Sequence, residues 1–528
     1  MVVVFKFFIN KYNDTGTCNI CSIYIYDSNM AKLKLYQAIC LISVFLANQM
    51  SEIESETESR KSLKCKKTIV MKLLDQALRK DVLSVWPLKS RFSSLSDLYL
   101  NETDFWSVIK HENNKRLDRT AEKVLRGEAV YVAVYGGSNT AGGGLQEDEK
   151  SIRGRFPILL KGWWESVITP LTGSSLKMKI IGIGGTSSSY YQLCYKVYLD
   201  HNNIDLVILD SSVNGAVAIR FKNSGNMNES WSLEQFTRQL MNEPNRWAIM
   251  FINFFNTSNR KRGCFNLMDL GQSPLTSHYN ITTVNLRNLA CKLKSGRFHI
   301  TAKAVKQQAK DRYHMSLLGH AQAAFMIIQV IMKSIRKLLN DSSTLTDCGQ
   351  TTSNISKHEP LPPPIYIKPT SRITKNALCW TGLAPDKNYK IRNTLKVSVL
   401  KRKEFNHAKD IAILSPSHRG KVYRTDYFNC WCGQKKGSEI TFLFDVPPGL
   451  SSPVSTVKVF TRSSLKSGEF EVWLDSNVKK RIKMYAKSRY RQTVVISLAT
   501  GVRPGNHTLT VRITKDGNIP ILGIAVVE

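Results

Sequence analysis

The sequence predicts two dissimilar folded parts, an α/β domain with a parallel sheet and then an all-β sandwich or jelly roll. Three observations carry this. Between residues 128 and 339, short apolar strands alternate with amphipathic helical segments, which implies right-handed crossovers and a sheet covered on both faces. Residues 340–371, rich in Ser, Thr and Asn and ending in EPLPPPIYIKP, break that rhythm as an extended linker. From 372 to 528 only short strand-like segments remain, separated by turn residues.

The elements follow in order. VYVAVYGG (130–137) reads as a buried strand breaking at glycine, and FPILLKGWWESVI (156–168) as a helix. Strand LKMKIIGIGG (176–185), helix SYYQLCYKVYL (189–199), strand IDLVILDSS (204–212), helix WSLEQFTRQLM (231–241) and strand RWAIMFINFF (246–255) continue the alternation. A long helix near Leu317 to Leu339 closes the domain. In the β part, TLKVSVL, EITFLFDV, STVKVFTR, GEFEVWL, TVVISLA, HTLTVRIT and ILGIAVV are the strands. Residues 48–127 are polar, basic and helical in places, with no chemical signature.

Composition fits a globular chain: 528 residues with 42% hydrophobic side chains exclude general disorder and a collagen repeat, and the length calls for several cores. Charge is the anomaly. Lys and Arg number 75 against 41 Asp and Glu, a net charge of +34. The segment 366–528 carries +18 of it, over half of the charge in under a third of the chain. So basic a chain attracts polyanions. Its densest run, KKRIKMYAKSRYR, offers Lys479, Lys480, Arg481, Lys483, Lys487, Arg489 and Arg491 with two tyrosines. Charge with interleaved aromatics can track a phosphate backbone. In an extracellular module, however, nucleic acid is disfavoured against an anionic glycan or cell surface.

An extracellular location is the expectation from the amino-terminal region. After a doubtful upstream extension (1–29), residues 30–47 read MAKLKLYQAICLISVFLA, a basic start and an apolar run sized for a secretory signal peptide. The run is too short to span a bilayer comfortably, and no stable transmembrane anchor is predicted. Three of the 11 cysteines precede residue 48; the other eight allow up to four disulfides. Cys430 and Cys432 are read as disulfide cysteines, with Cys379 and Cys348 as candidate partners.

Four blocks could make one active site. In YGGSNTAGGG (135–144), Ser138 follows a buried strand and is flanked by glycines, so it can stand at the carboxyl edge of a parallel sheet with its N–H turned inward. The block fits neither phosphate-binding fingerprint, GxGxxG or GxxxxGK[ST]. In IGIGGTSSSYY (181–191), Gly185 can offer a backbone N–H to a developing oxyanion, and Asn214 in LVILDSSVNG (206–215) a side-chain amide. In KDRYHMSLLGHAQAA (310–324), Asp311 lies three residues before His314, where its carboxylate can fix the imidazole tautomer and leave the other nitrogen to take a proton. His320 reads as a helix-face residue.

Taken in order, these blocks resemble the SGNH hydrolase superfamily of GDSL-like esterases and lipases. The resemblance covers residues 128–335 and implies a flavodoxin-like three-layer α/β sandwich. It also implies a serine esterase mechanism without cofactor or metal. Ser138 would be the nucleophile, His314 the general base and Asp311 its orienter, with the Ser138 N–H, Gly185 and Asn214 forming the oxyanion hole. The substrate would be an ester, short-chain or O-acetyl, and the β module suggests an acylated polysaccharide or glycoconjugate. Three positions depart from the family pattern: Gly137 replaces the acidic residue usual before the nucleophile, Ser212-Val213-Asn214-Gly215 replaces Gly-x-Asn-Asp, and Met315 follows the histidine where proline is common.

Two other chemistries fit less well. A dinucleotide site would need glycine at Ser187, and Asp210 lies 28 residues beyond Gly182, where about 20 is typical. Metal catalysis lacks an HExxH or paired CxxC motif. The remaining alternative is a binding protein that keeps the SGNH scaffold, has lost catalysis, and uses the basic β module to hold polyanionic glycans or surfaces.

Overall fold

A computed structural model describes residues 92–101, 107–110, 114–145, 154–200, 203–215, 229–255, 272–294, 297–300, 307, 313–340, 360–367, 377–416, 422–448, 456–463, 468–476, 484–485 and 492–528. Residues 1–29 and 30–47, read in the sequence as an upstream extension and a signal peptide, lie outside them, as does most of the 48–127 segment.

A six-stranded sheet forms the first core. Its strands are β1 (Ile109–Lys110), β2 (Val130–Gly136), β3 (Leu176–Gly182), β4 (Leu206–Asp210), β5 (Ala248–Asn253) and β6 (Thr282–Asn285), in the order β3-β2-β4-β5-β6-β1. All pairs are parallel except the short edge strand β1, which runs antiparallel to β6. The strand order reverses at β2, the kind of point beyond whose strands' carboxyl ends open α/β sheets bind ligands.

The two-residue period of a strand decides which residues meet which helices. Val132, Val134, Ile208, Met250 and Ile252 turn to one face, against helices α1 (Lys115–Leu125), α3 (Phe156–Trp163) and α7 (Leu317–Asn340). Ala133, Tyr135, Val207, Leu209, Ile249 and Phe251 turn to the other, against α4 (Ser188–Cys194) and α5 (Glu229–Met241). Between α1 and α3 lies the short α2 (Ser138–Ala141), and α6 (Ser273–His278) precedes β6. Helix α1 starts where the Asn114 side chain accepts the Arg116 and Leu117 N–H groups, and it buries Leu117, Thr120, Ala121 and Val124 along one stripe. Helix α7 is long and apolar enough to cross a bilayer, but 89% of that stretch is buried in protein, which makes it the core helix of this layer.

After a hairpin of β7 (Cys291–Lys294) and β8 (Arg297–Ile300), the second core is a sandwich of two antiparallel sheets. One contains β9 (Ala377–Thr381), β10 (Leu383–Ala384), β12 (Phe405–Pro416), β13 (Val422–Gly433), β15 (Thr456–Arg462), β18 (Thr493–Ala499) and β20 (Ile519–Val527). The other contains β11 (Val397–Lys403), β14 (Glu439–Val446), β16 (Glu469–Leu474), β17 (Met484–Tyr485) and β19 (Gly505–Lys515).

All nine residues of β20 are buried, because its sheet is covered on both sides. Ile519, Ile521, Ile524 and Val526 enter the sandwich core. Leu522, Ala525 and Val527, with Phe460, Leu383 and Val495, instead join the cluster around Tyr190, Tyr195 and Tyr198 of the α/β layer. Polar contacts stitch this seam. Tyr190 Oη lies 2.8 Å from Thr381 Oγ1, Tyr198 donates to the Leu383 carbonyl at 2.9 Å, and the Arg392 N–H donates to the Val197 carbonyl at 2.8 Å.

The proline-rich stretch is extended and held against α5 along residues 362–367. The buried Glu234 carboxylate accepts the N–H groups of Ile365, Tyr366 and Ile367 at 2.6, 2.7 and 3.0 Å, and Arg238 donates to the Pro362 carbonyl. The cysteine pairing differs from the expectation. Cys379 bonds Cys194 across the seam, because α4 ends its apolar face against β9. Cys430 and Cys432, two apart and so on one side of β13, bond each other.

The Cys194–Cys379 bridge closes a separation of 185 residues. Replacing both cysteines with alanine is expected to lower the unfolding free energy by about 2–5 kcal/mol, read from urea unfolding followed by tryptophan fluorescence.

Candidate active site

Three strands of the parallel sheet end level with one another. Gly136 of β2 pairs with Gly182 of β3 on one side and Asp210 of β4 on the other. The Ser138, Gly185 and Asn214 blocks begin two to four residues beyond that line, so register alone brings them to one edge.

Missing side chains let them touch. A Cβ added to Gly182 would sit 2.4 Å from the Ala141 nitrogen, and one added to Gly136 would fall 2.0 Å from Thr140 Oγ1. Gly137 is the sharpest case: its Cβ would lie 1.7 Å from Asn214 Nδ2. In this chain the Asn214 amide occupies the room that a side chain at 137 would take. Asn214 Nδ2 also donates to the Thr186 carbonyl at 2.8 Å, which leaves one amide hydrogen for a ligand.

The short helix that carries Ser138 is anchored by its next two residues. Asn139 Oδ1 accepts the Met315 N–H at 2.9 Å, tying the helix to the segment that bears His314. Thr140 Oγ1 donates to Asp210 Oδ2 at 2.9 Å. The His314 ring lies over the turn that ends the helix: a Cβ on Gly143 would meet its Cδ2 at 2.8 Å and Nε2 at 3.0 Å, beside the Ser138 carbonyl at 2.9 Å. Ser138 itself is partly exposed. As the first residue of its helix it has no intrahelical acceptor for its N–H, and the Gly185 N–H likewise has no acceptor among the described residues. Two backbone donors and one amide donor are therefore available around a partly exposed serine with a histidine close by.

Of the residues singled out in the sequence, Ser138, Gly185, Asn214 and His314 come together. Asp311 lies outside the described residues, as do Lys479, Lys480, Arg481, Lys483, Lys487, Arg489 and Arg491. His320 belongs to the core, fully buried and stacked on Phe156, and burial, with Arg155 and His314 nearby, pushes its pKa down to about 3.

Two buried carboxyls complete the surroundings: Asp210, weighed in the sequence only as a ribose ligand, and Glu229, which the sequence did not single out. Asp210 and Glu229 are both raised to about 7 by burial, although hydrogen bonds from Thr140 pull Asp210 down and those from Ser187, Ser188 and Ser189 pull Glu229 down. Asp210 lies under α2, bonded to Thr140, which accounts for its place at a strand end without any ribose. Glu229 receives N–H groups at the start of α4, the helix that follows the Gly185 turn.

No family profile matches the sequence, and no curated protein matches it. Solved structures do. A two-domain esterase active on acetylated mannans, in two crystal structures of which one was co-crystallised with mannopentaose, matches with a TM-score of 0.51 and 17% identity. The alignment covers 80% of this chain and 98% of that one, so the two proteins share a fold through both domains. An acetylxylan esterase from Geobacillus stearothermophilus, also 17% identical, aligns with 39% of this chain and 95% of its own at a TM-score of 0.30, a likeness on which nothing rests.

Two outcomes follow from this geometry. Gly137→Ala should cost about 1–3 kcal/mol of stability through overpacking against Asn214, measured by urea unfolding. The raised carboxyls set a pH trend: Asp210 and Glu229 hold their protons more tightly folded than unfolded. Their contribution is complete below about pH 4 and is lost as pH rises through about 7. The melting temperature should therefore fall between pH 5 and pH 8, and Asp210→Asn should flatten that fall.

Proposed function

We propose that the protein is a secreted serine ester hydrolase of the SGNH type, acting on short-chain or O-acetyl esters of a polysaccharide. The observation that carries the reading is the meeting of a partly exposed serine, two backbone N–H groups without acceptors and the Asn214 amide at one sheet edge, with His314 beside them. In the proposed cycle His314 takes the Ser138 hydroxyl proton as the oxygen attacks the ester carbonyl. The Ser138 and Gly185 N–H groups and the Asn214 amide stabilise the tetrahedral oxyanion. His314 returns the proton to the departing alcohol, and water, activated by the same imidazole, then frees Ser138 from the acyl group. Asp311, three residues before His314, would orient the ring.

Two further observations support the wider reading. The strand order β3-β2-β4-β5-β6 is that of a flavodoxin-like sheet, in which ligands bind where the order reverses. Disulfides such as Cys194–Cys379 suit an oxidising compartment and so a secreted protein. An acetylated polysaccharide is favoured as substrate because the two-domain esterase that shares the fold acts on acetylated mannans.

The test is hydrolysis of aryl acetates and of acetylated mannan by the full chain. Ser138→Ala should abolish turnover, and His314→Ala should lower kcat by about 100- to 10,000-fold, each with an unchanged melting temperature. Hydrolysis that survives Ser138→Ala would overturn the assignment. A folded wild-type chain without turnover would point instead to the glycan-binding alternative.

A further inference from the structure

We infer that Arg462, in the β domain, is a positioning residue of the site: it holds and polarises the amide whose N–H would stabilise the oxyanion. The inference rests on the esterase reading and extends its machinery into the second domain. Arg462 is the last residue of β15 and is buried at the seam, where Arg462 Nη2 donates to the Gly184 carbonyl at 2.8 Å. That carbonyl and the Gly185 N–H belong to one peptide group. The group is planar and trans, so its oxygen and its hydrogen point in opposite directions. Gripping the oxygen from the β domain therefore fixes the direction of the hydrogen, the donor that the esterase reading assigns to the oxyanion.

The neighbouring peptides are gripped in the same way. Thr493, which opens β18 and pairs in register with Arg462, donates its N–H to the Gly185 carbonyl at 2.9 Å. Thr186 Oγ1 lies 2.9 Å from Thr493 Oγ1, and the Thr186 carbonyl takes the Asn214 amide. Three successive carbonyls, of Gly184, Gly185 and Thr186, thus meet three different donors, two of them from the β domain. Gly185 supplies the left-handed turn (φ +68°) at the middle of this run.

Charge adds to geometry. A guanidinium keeps its charge even when buried, and here it faces a carbonyl where little water screens it. Drawing electron density toward the Gly184 oxygen makes the Gly185 N–H a stronger donor, since hydrogen bonds on the two ends of an amide reinforce each other. The benefit is largest when the opposite end meets a full negative charge, as it does in the tetrahedral intermediate and not in the bound ester.

The experiment compares full-length wild type, Arg462→Met, Arg462→Lys and Tyr389→Phe on an aryl acetate, with sites counted by fluorophosphonate labelling. Tyr389→Phe removes a different seam contact, the hydrogen bond to the Tyr198 carbonyl, and should leave kcat per labelled site unchanged. Arg462→Met should lower kcat about 10- to 100-fold with KM within about twofold. Arg462→Lys should recover most of the loss near neutrality. Burial lowers the pKa of a lysine, so the kcat of that variant should also decline at alkaline pH where wild type holds steady, a signature that does not depend on the Met variant folding. An unchanged kcat in Arg462→Met, a rise confined to KM, or an Arg462→Lys profile that tracks wild type would overturn the inference and leave the esterase reading intact. Absence of both turnover and Ser138 labelling in wild type would overturn both.

Discussion

The structure depends on a sheet that has no outside. The seven-stranded sheet of the sandwich is covered on one face by its partner sheet and on the other by α4 and the tyrosines that follow it. Apolar strands such as β20 could not be exposed to water at that second face without a large hydrophobic penalty, so neither domain is complete alone. The α/β layer supplies the aromatic surface, the sandwich supplies the aliphatic one, and Cys194–Cys379 closes the join covalently. A basic β module tethered by a flexible linker would only raise local substrate concentration. This one is fused to the α/β layer and shapes its turn at residues 184–186.

At the sheet edge, packing and chemistry are the same problem. Parallel strands that end in register deliver three chain segments to one place, and the segments can approach only because Gly136, Gly137 and Gly182 lack side chains. The room left by those hydrogens is filled by groups that orient the turn: the Thr140 hydroxyl, the Asn214 amide and the backbone at the end of α2. Gly137 and Asn214 thereby form a size-matched pair, in which the absence of one side chain admits the other.

Much of this was legible in the sequence, for reasons that can be named. Strand and helix periods are local, so the alternation of 128–339 and the strands of 372–528 could be read directly, as could glycines at strand ends followed by Ser138 and Gly185, and Asn214 just past a third strand. The grip on the Gly184 carbonyl could not, because Arg462 is 278 residues away and its only local mark is to end an apolar strand. The same holds for Glu234, an ordinary acid in a helical pattern until Ile365, Tyr366 and Ile367 present it with three N–H groups. Cysteine pairing was hidden for a simpler reason: spacing says which cysteines are near in the chain, whereas Cys194 and Cys379 meet across a seam. The tight fit of Gly137 against Asn214 becomes visible only once the two are seen side by side.

The division of the clamp between distant segments also sets an order of events during synthesis. The Gly184 turn emerges from the ribosome 278 residues before Arg462 and about 300 before Thr493. At roughly 5–20 residues per second, the α/β layer therefore waits tens of seconds for the groups that grip its turn at residues 184–186. Throughout that interval a nascent chain carries the serine and histidine without a completed turn. The turn at residues 184–186 thus acquires its full set of hydrogen-bond donors only after the second domain has been made and has docked.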